Sequence, residues 1–386
     1  MYYPSFDTTR QLAAKGQYRR IPLSRELFAD AYTPVEVMRI LRASSRHCFL
    51  LESAGQAESW GRYSFLGCDP TMEITCTAGR MQIRSTGDEG NEKIKTRQVA
   101  HPGETLREIL ARYKSAPLKK LPPFTGGLVG YFSYDYIRYS EPKLKLTEEE
   151  DQDFRDMDLM LFDQVIAFDH YRQKIYLITG VMADDLENSY QKAVKKLEEM
   201  ADLLKAGRKE NFPPLKLQSK ISPQFSRERY QHMVERAKEY IREGDIFQVV
   251  LSNPMRARAQ GSLFDTYRVL RTSNPSPYMF YFSSDDIEIA GASPETLVKL
   301  EQGKLSTFPL AGTRPRGKDK EEDQALEKEL LQDEKELAEH NMLVDLGRND
   351  IGKISEIGTV KVEQYLGVER FSHVMHLGST VTGQIR

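Results

Sequence analysis

Glu336 and Glu339 stand three residues apart in DEKELAEHNMLVDLGRND, a spacing that sets two carboxylates side by side on one helix surface. Carboxylates that close repel each other unless something positive sits between them. A hard divalent cation such as Mg2+ supplies that charge, needs few protein carboxylates and keeps waters or substrate oxygens in its other positions. In a helix this rich in Glu and Lys the same pair also reads as solvated surface. Just upstream, Gly312, Thr313, Pro315 and Gly317 in PLAGTRPRG form a turn that feeds the helix. A second polar candidate, Gln248, stands among apolar residues in IFQVVLSNPMRARA.

The helix that must carry the acidic pair is delimited by its own residues. Asp319 followed by Glu322 reads as a capping box and Gly347 as a C-terminal stop, which predicts one helix over 319–347. Leu326, Leu330, Leu337 and Val344 recur at intervals of four or seven and make its core-facing stripe. Ahead of it, short β-rich runs fill 19–86: 47–53, 60–66 and a hairpin of 72–77 with 81–85 across Ala78-Gly79-Arg80. The cluster Gly126-Gly127-Leu128-Val129-Gly130 lacks the lysine and Ser/Thr of a phosphate loop and enters a strand, so close backbone packing explains it better. A further hairpin is expected from 159–169 with 174–179, then a long helix over 183–206.

Residues 207–224 are polar, carry three prolines and lack periodicity, which marks a linker. It divides the chain into an N-terminal α+β domain, 1–206, and a second domain, 225–386. The second begins with a helix ending at Gly244, a strand over 246–259 containing Gln248, a helix over 263–273, and the turn Asn274-Pro275-Ser276-Pro277 into the strand MFYF. Strands over 359–365 and 371–377 follow the acidic helix, the second carrying His373 and His376. Helices and hairpins alternate without βαβ regularity, so the expected class is α+β with large antiparallel sheets and flanking helices.

With 386 residues the chain is too long for one ordinary core. Its 55 basic and 57 acidic residues leave a net charge of −2, no field to attract nucleic acid or an anionic membrane. No apolar run approaches the roughly 20 residues of a spanning helix and the start has no apolar signal core, so a cytoplasmic protein is expected. Cys48, Cys68 and Cys76 show no CxxC spacing and read as reduced, buried thiols.

At PLAGTRPRG, DEKELAEHNMLVDLGRND and SHVMHLGSTVTG the sequence resembles the chorismate-utilising enzymes, most closely the large subunit (component I) family of anthranilate synthase. The likeness continues through LLES, GDIFQVVLS, NPSPYMFYF and ASPE and so covers nearly the whole chain. It implies a two-lobed chorismate-binding fold and a lyase reaction in two stages: ammonia adds to C2 of chorismate as the 4-hydroxyl leaves, then pyruvate is eliminated to give anthranilate. On that resemblance Glu339 is the direct Mg2+ ligand and Glu336 accepts from a metal-bound water. Gly312 and Thr313 contact substrate, Glu295 protonates the departing hydroxyl with a pKa raised by burial, and His376 assists the aromatising proton loss. Without the resemblance, Glu295 is an ordinary strand-end acid and a strand histidine is more often a core residue, as His373 illustrates.

Two positions discriminate within the family. Relatives that add water to chorismate carry a lysine where Gln248 stands, and relatives that make aminodeoxychorismate carry one where Ala311 stands. Glutamine activates no water and alanine is no nucleophile, so ammonia addition at C2 is favoured. Glu52 and Ser53, with Pro277, Tyr278 and Met279, resemble the site where the family binds tryptophan as feedback inhibitor, the acid serving the ammonium group. The cysteines lie in no amidotransferase context, which implies a glutamine amidotransferase small subunit as partner. Family members continue beyond TVTGQIR, so the expectation is a C-terminally incomplete fold, inactive alone. The alternatives are an aminodeoxychorismate synthase component I and a non-catalytic tryptophan-binding fragment.

Overall fold

The computed structural model describes residues 2–53, 61–86, 91–141, 143–144, 154–371 and 373–386. An eight-stranded antiparallel sheet forms its largest layer, in the order Tyr2–Tyr3, Arg20–Phe28, Lys174–Met182, Val165–Asp169, Tyr63–Cys68, Cys48–Glu52, Tyr278–Ser283, Glu288–Ser293. The last two strands come from beyond the 207–224 segment, so this sheet is built from both sides of it. Helices Pro34–Ser44 and Leu186–Ala206 cover one face through Val37, Met38, Leu41, Leu197 and Ala201, all buried. Each large apolar side chain so buried contributes roughly 1.5–3 kcal/mol.

A second antiparallel sheet runs Glu92–Gln98, Arg80–Thr86, Met72–Thr77, Met157–Phe162, Gly127–Phe132. Its central hairpin turns on Ala78 and Gly79, whose φ values of 48° and 78° give the doubly left-handed turn that matches strand twist. The glycine cluster does pack backbone on backbone: a Cβ on Gly130 would stand 2.0 Å from the Asp158 carbonyl oxygen. The run expected as one arm of a hairpin, 159–169, is instead two strands in two sheets. The chain leaves the second sheet at Phe162 and joins the first at Val165. Between them Asp163 accepts from Arg20 Nε (2.6 Å), Thr179 Oγ1 (2.9 Å) and the Gly180 amide (3.2 Å). A half-buried charge so fully bonded fixes the corner, and hydrophobic pattern alone does not reveal it.

The third sheet carries the candidate chemistry. Val374–Gln384 is its spine, paired along one side with Lys304–Thr307 and Leu310–Pro315 and along the other with Lys361–Arg370. The spine starts at Val374, so His373 precedes it, and the His373 carbonyl accepts from the Arg316 amide. Helices Lys320–Leu330 and Glu334–Gly352 cover one face, where Leu326, Leu330 and Leu337 pack on Met375 and Leu377.

The expected single helix over 319–347 is therefore two. Asp319 caps the first, accepting from the Glu321 and Glu322 amides; Asp333 caps the second, accepting from Lys335 and Glu336. Gly347 stops nothing. It lies inside the second helix where a Cβ would meet Thr307 at 3.1 Å and Pro309 at 3.4 Å, so its smallness lets helix and strand approach.

The strand expected over 246–259 does not form. Only Met255–Arg256 and Ala259–Gln260 pair, each with two residues of the 207–224 segment. A run that alternates correctly still needs a neighbouring strand to bond, and among the described residues 246–254 have none. Phe247 and Val250 are accordingly 85% and 87% exposed, and Gln248 is exposed with them.

Candidate active site

His376 owes its position to one irregularity in the edge strand Leu310–Pro315. The ladder runs Ala311 opposite Leu377 and then Thr313 opposite His376, with Gly312 as the extra residue of a β-bulge at φ 75°. The bulge turns the Gly312 carbonyl to the imidazole, 3.0 Å from His376 Nδ1, with Thr313 Oγ1 at 3.1 Å from the same nitrogen. A carbonyl oxygen only accepts, so Nδ1 carries the proton and Nε2 keeps its lone pair. The Phe371 ring meets the imidazole edge-on at 5.5 Å. The structure thus brings Gly312, Thr313 and His376 together and sets the tautomer of the imidazole, Thr313 exposed and His376 half-buried.

Alternation places the acidic pair on the other side of this strand. Met375 and Leu377 face the helices, and Arg314, opposite Met375, reaches Glu329 (2.9 Å), Asp333 (2.7 Å) and, more distantly, Glu336 (3.9 Å). Arg314 therefore supplies part of the positive charge that the two glutamates require. Glu339 is half-buried, and its carboxylate has no partner among the described residues. No cluster of three or more His, Cys, Asp or Glu able to hold a metal occurs among them. Two half-buried, under-partnered carboxylates still fit a hard cation that takes most of its oxygens from water and substrate.

Next to Glu339, His340 is wholly buried, its Nε2 2.7 Å from Ser379 Oγ and its Nδ1 without a partner among the described residues. Burial pushes this imidazole below its ordinary pKa, toward the neutral form. Sequence reasoning missed Arg314, Asp333 and the His340–Ser379 pair. For Asp333 the signal was present: Asp-x-x-Glu over 333–336 is itself a capping pattern.

Glu295 departs from expectation. The strand Glu288–Ser293 ends before it, its amide donates to Ser293 Oγ (3.2 Å) in a tight turn, and the residue is exposed where a buried acid was expected.

At the far end of the large sheet Glu52 pairs in register with Met279, so LLES and NPSPYM do meet. Glu52 is only 8% exposed, yet its carboxylate is already engaged. Arg271 grips it through two nitrogens (2.6 and 2.9 Å), and Tyr267 (2.7 Å) and Ser64 (3.3 Å) donate to it. An ammonium group arriving there competes with a guanidinium in place. Ser53 Oγ beside it is buried without a partner among the described residues, Tyr278 bonds Thr296 at 2.5 Å, and Pro277 is half-buried at the strand's entry.

No helix among the described residues is long and apolar enough to cross a membrane. The family profile described as chorismate binding enzyme matches residues 46–386. Anthranilate synthase component 1 of Acetivibrio thermocellus is 41% identical over 394 aligned positions, covering 100% of this chain and 78% of that protein. The Pseudomonas aeruginosa protein of the same name is 42% identical, covering 97% of this chain and 76% of its own length. Among solved structures, anthranilate synthase component I from Streptococcus pneumoniae superposes with a TM-score of 0.70 at 36% identity, over 84% of this chain and 69% of that one. Family profile, identity and superposition agree with the motifs on the third sheet: the chain belongs to the chorismate-binding enzymes, in the anthranilate synthase component 1 family.

Proposed function

We propose that this chain carries the chorismate site of an ammonia-dependent lyase and that the residues around His376 serve its second stage. Chorismate and ammonia give anthranilate, pyruvate and water. In the first stage a C2–N bond forms as the 4-hydroxyl leaves, and in the second the C2 proton and the enolpyruvyl group are lost. The observation that carries the reading is the Gly312 carbonyl on His376 Nδ1, which leaves Nε2 free to take the C2 proton. Thr313, exposed beside it, offers a hydroxyl to a substrate carboxylate. Glu295 serves as acid to the leaving hydroxyl once substrate covers it, since desolvation is what lifts a carboxyl toward that role. Gln248 leaves water unactivated, and Ala311, buried on the edge strand, supplies no amine nucleophile.

Glu339 and Glu336 would hold Mg2+, which when bound neutralises a substrate carboxylate. Ammonia comes from a glutamine amidotransferase subunit. All three cysteines here are buried, with thiols pushed up by burial, Cys68 to about 12, so none is poised as a glutaminase nucleophile. Tryptophan as feedback ligand would enter between Ser53 and Pro277–Met279, displacing Arg271 from Glu52. Calorimetric titration tests the reading. Chorismate should bind in a Mg2+-dependent manner, and Glu339→Gln should remove that dependence. Equal binding with and without Mg2+ would refute the metal assignment, and binding of tryptophan alone would favour a regulatory fragment.

A further inference from the structure

His340 projects from the acidic helix into the core beneath it, one residue after Glu339 and one helical turn after Glu336. Its Nε2 meets Ser379 Oγ at 2.7 Å, and that same oxygen accepts the Leu366 amide at 3.1 Å. The hydrogen bonds thus link three elements: helix Glu334–Gly352, the spine Val374–Gln384 and its neighbour Lys361–Arg370. Ser379 lies three residues from His376 on the spine, roughly 10 Å along the strand. An apolar side chain of the same volume would fill the site without burying an imidazole whose Nδ1 has no partner among the described residues. The leucines around it hold the helix down by non-directional packing, which fixes distance better than register. A directional bond is what fixes register.

We infer that His340, through Ser379, is a positioning residue that sets the acidic helix in register with the strand bearing His376, so that Glu339 and the imidazole address one substrate. The inference rests on the reading of Glu336 and Glu339 as the metal-carrying pair. It touches no reacting atom.

The full chain is compared with His340→Leu, His340→Gln, Ser379→Ala and, as a reference, Glu339→Gln. Mn2+ affinity is measured by electron paramagnetic resonance with chorismate present, and backbone hydrogen exchange is followed by mass spectrometry. His340→Leu and Ser379→Ala should each weaken Mn2+ binding roughly 10-fold, the scale of an outer-shell loss. Exchange should quicken in 334–352 and 374–384 together and remain slow in the large sheet. His340→Gln, which keeps a polar group for Ser379, should recover most of the affinity. Unchanged Mn2+ affinity in His340→Leu beside lost affinity in Glu339→Gln would overturn the inference alone, as would faster exchange spread evenly over the molecule. Absence of Mn2+ binding to the unmodified chain would overturn the metal reading and this inference with it.

Discussion

Replacing Gly312 by alanine tests the link between backbone geometry and base chemistry most directly. The residue sits at φ 75°, where a side chain costs about 1–2 kcal/mol. Its new Cβ would stand 3.2 Å from Leu377 Cδ1 and 3.3 Å from Leu330 Cδ1, both in the core under the helices. Shifting two packed leucines by a few tenths of an ångström adds roughly 0.5–1 kcal/mol, so the expected loss is about 1.5–3 kcal/mol. The chain relieves that strain by flattening the bulge, which swings the Gly312 carbonyl off His376 Nδ1. Two measurements follow on one sample: urea denaturation for stability, and nitrogen NMR of selectively labelled histidine for the tautomer. The variant should lose stability and show His376 with mixed Nδ1–H and Nε2–H forms. Thr313→Val is the control, since it removes the shared hydroxyl and leaves the carbonyl acceptor, and its Nδ1–H form should persist. Gly312→Ala with less than about 0.5 kcal/mol of loss and an intact Nδ1–H tautomer would refute the reasoning.

Other perturbations have equally definite signs. Arg271→Ala leaves the buried Glu52 carboxylate without its guanidinium and should cost about 2–4 kcal/mol in denaturation, whereas Glu52→Gln should cost less because no charge is stranded. Gly130→Ala drives a Cβ against the Asp158 carbonyl and should destabilise by more than about 3 kcal/mol, measured by thermal melting. Asp158 and Asp163 should respond to pH in opposite senses. Burial pushes the Asp158 carboxyl up to about 6 against the pull of Arg155, so the folded chain binds its proton more tightly and this residue's contribution falls as pH rises from about 4 to about 6. Burial alone would raise Asp163 too, but the charge and hydrogen bonds of Arg20 hold it below the usual range. Its contribution is therefore present above about pH 4 and lost as pH falls through the folded value. Stability against pH for Asp158→Asn and Asp163→Asn should differ from the unmodified chain with opposite slopes.

How far the sequence carried these conclusions varies with the physics that decides each feature. Capping and turn chemistry are local, so Gly244, the Ala78-Gly79 turn and the leucine stripe of the acidic helices were readable from the chain alone. Features set by distant partners were not. Asp163 looks like one more polar residue until Arg20 is placed beside it, and the strand expected around Gln248 had the right alternation but no neighbour. Gly347 shows the ambiguity of glycine: helix stop and close approach read alike, and only the contact with Thr307 and Pro309 separates them. At the site, residue spacing pointed to the acidic pair and the family resemblance to His376, while the tautomer followed only from the bulge. The engagement of Glu52 by Arg271 was illegible for the same reason, the partners standing 219 positions apart in the chain.

One strand touches both halves of the proposed chemistry, and its place in the sheet bears on how a substrate meets them. Leu310–Pro315 ends the strand order, so its outer backbone edge has no partner strand among the described residues. Thr313 points to the face of His376, and its chain neighbour Arg314 points to the face of Glu336 and Asp333. A ligand confined to either face would meet the imidazole or the carboxylates and never both. A ligand lying across the edge reaches both within one residue's advance along the strand, roughly 3.4 Å. Chorismate carries two carboxylates on different arms, one on the ring and one on the enolpyruvyl group, and so is able to address a cation on one side and a hydroxyl on the other.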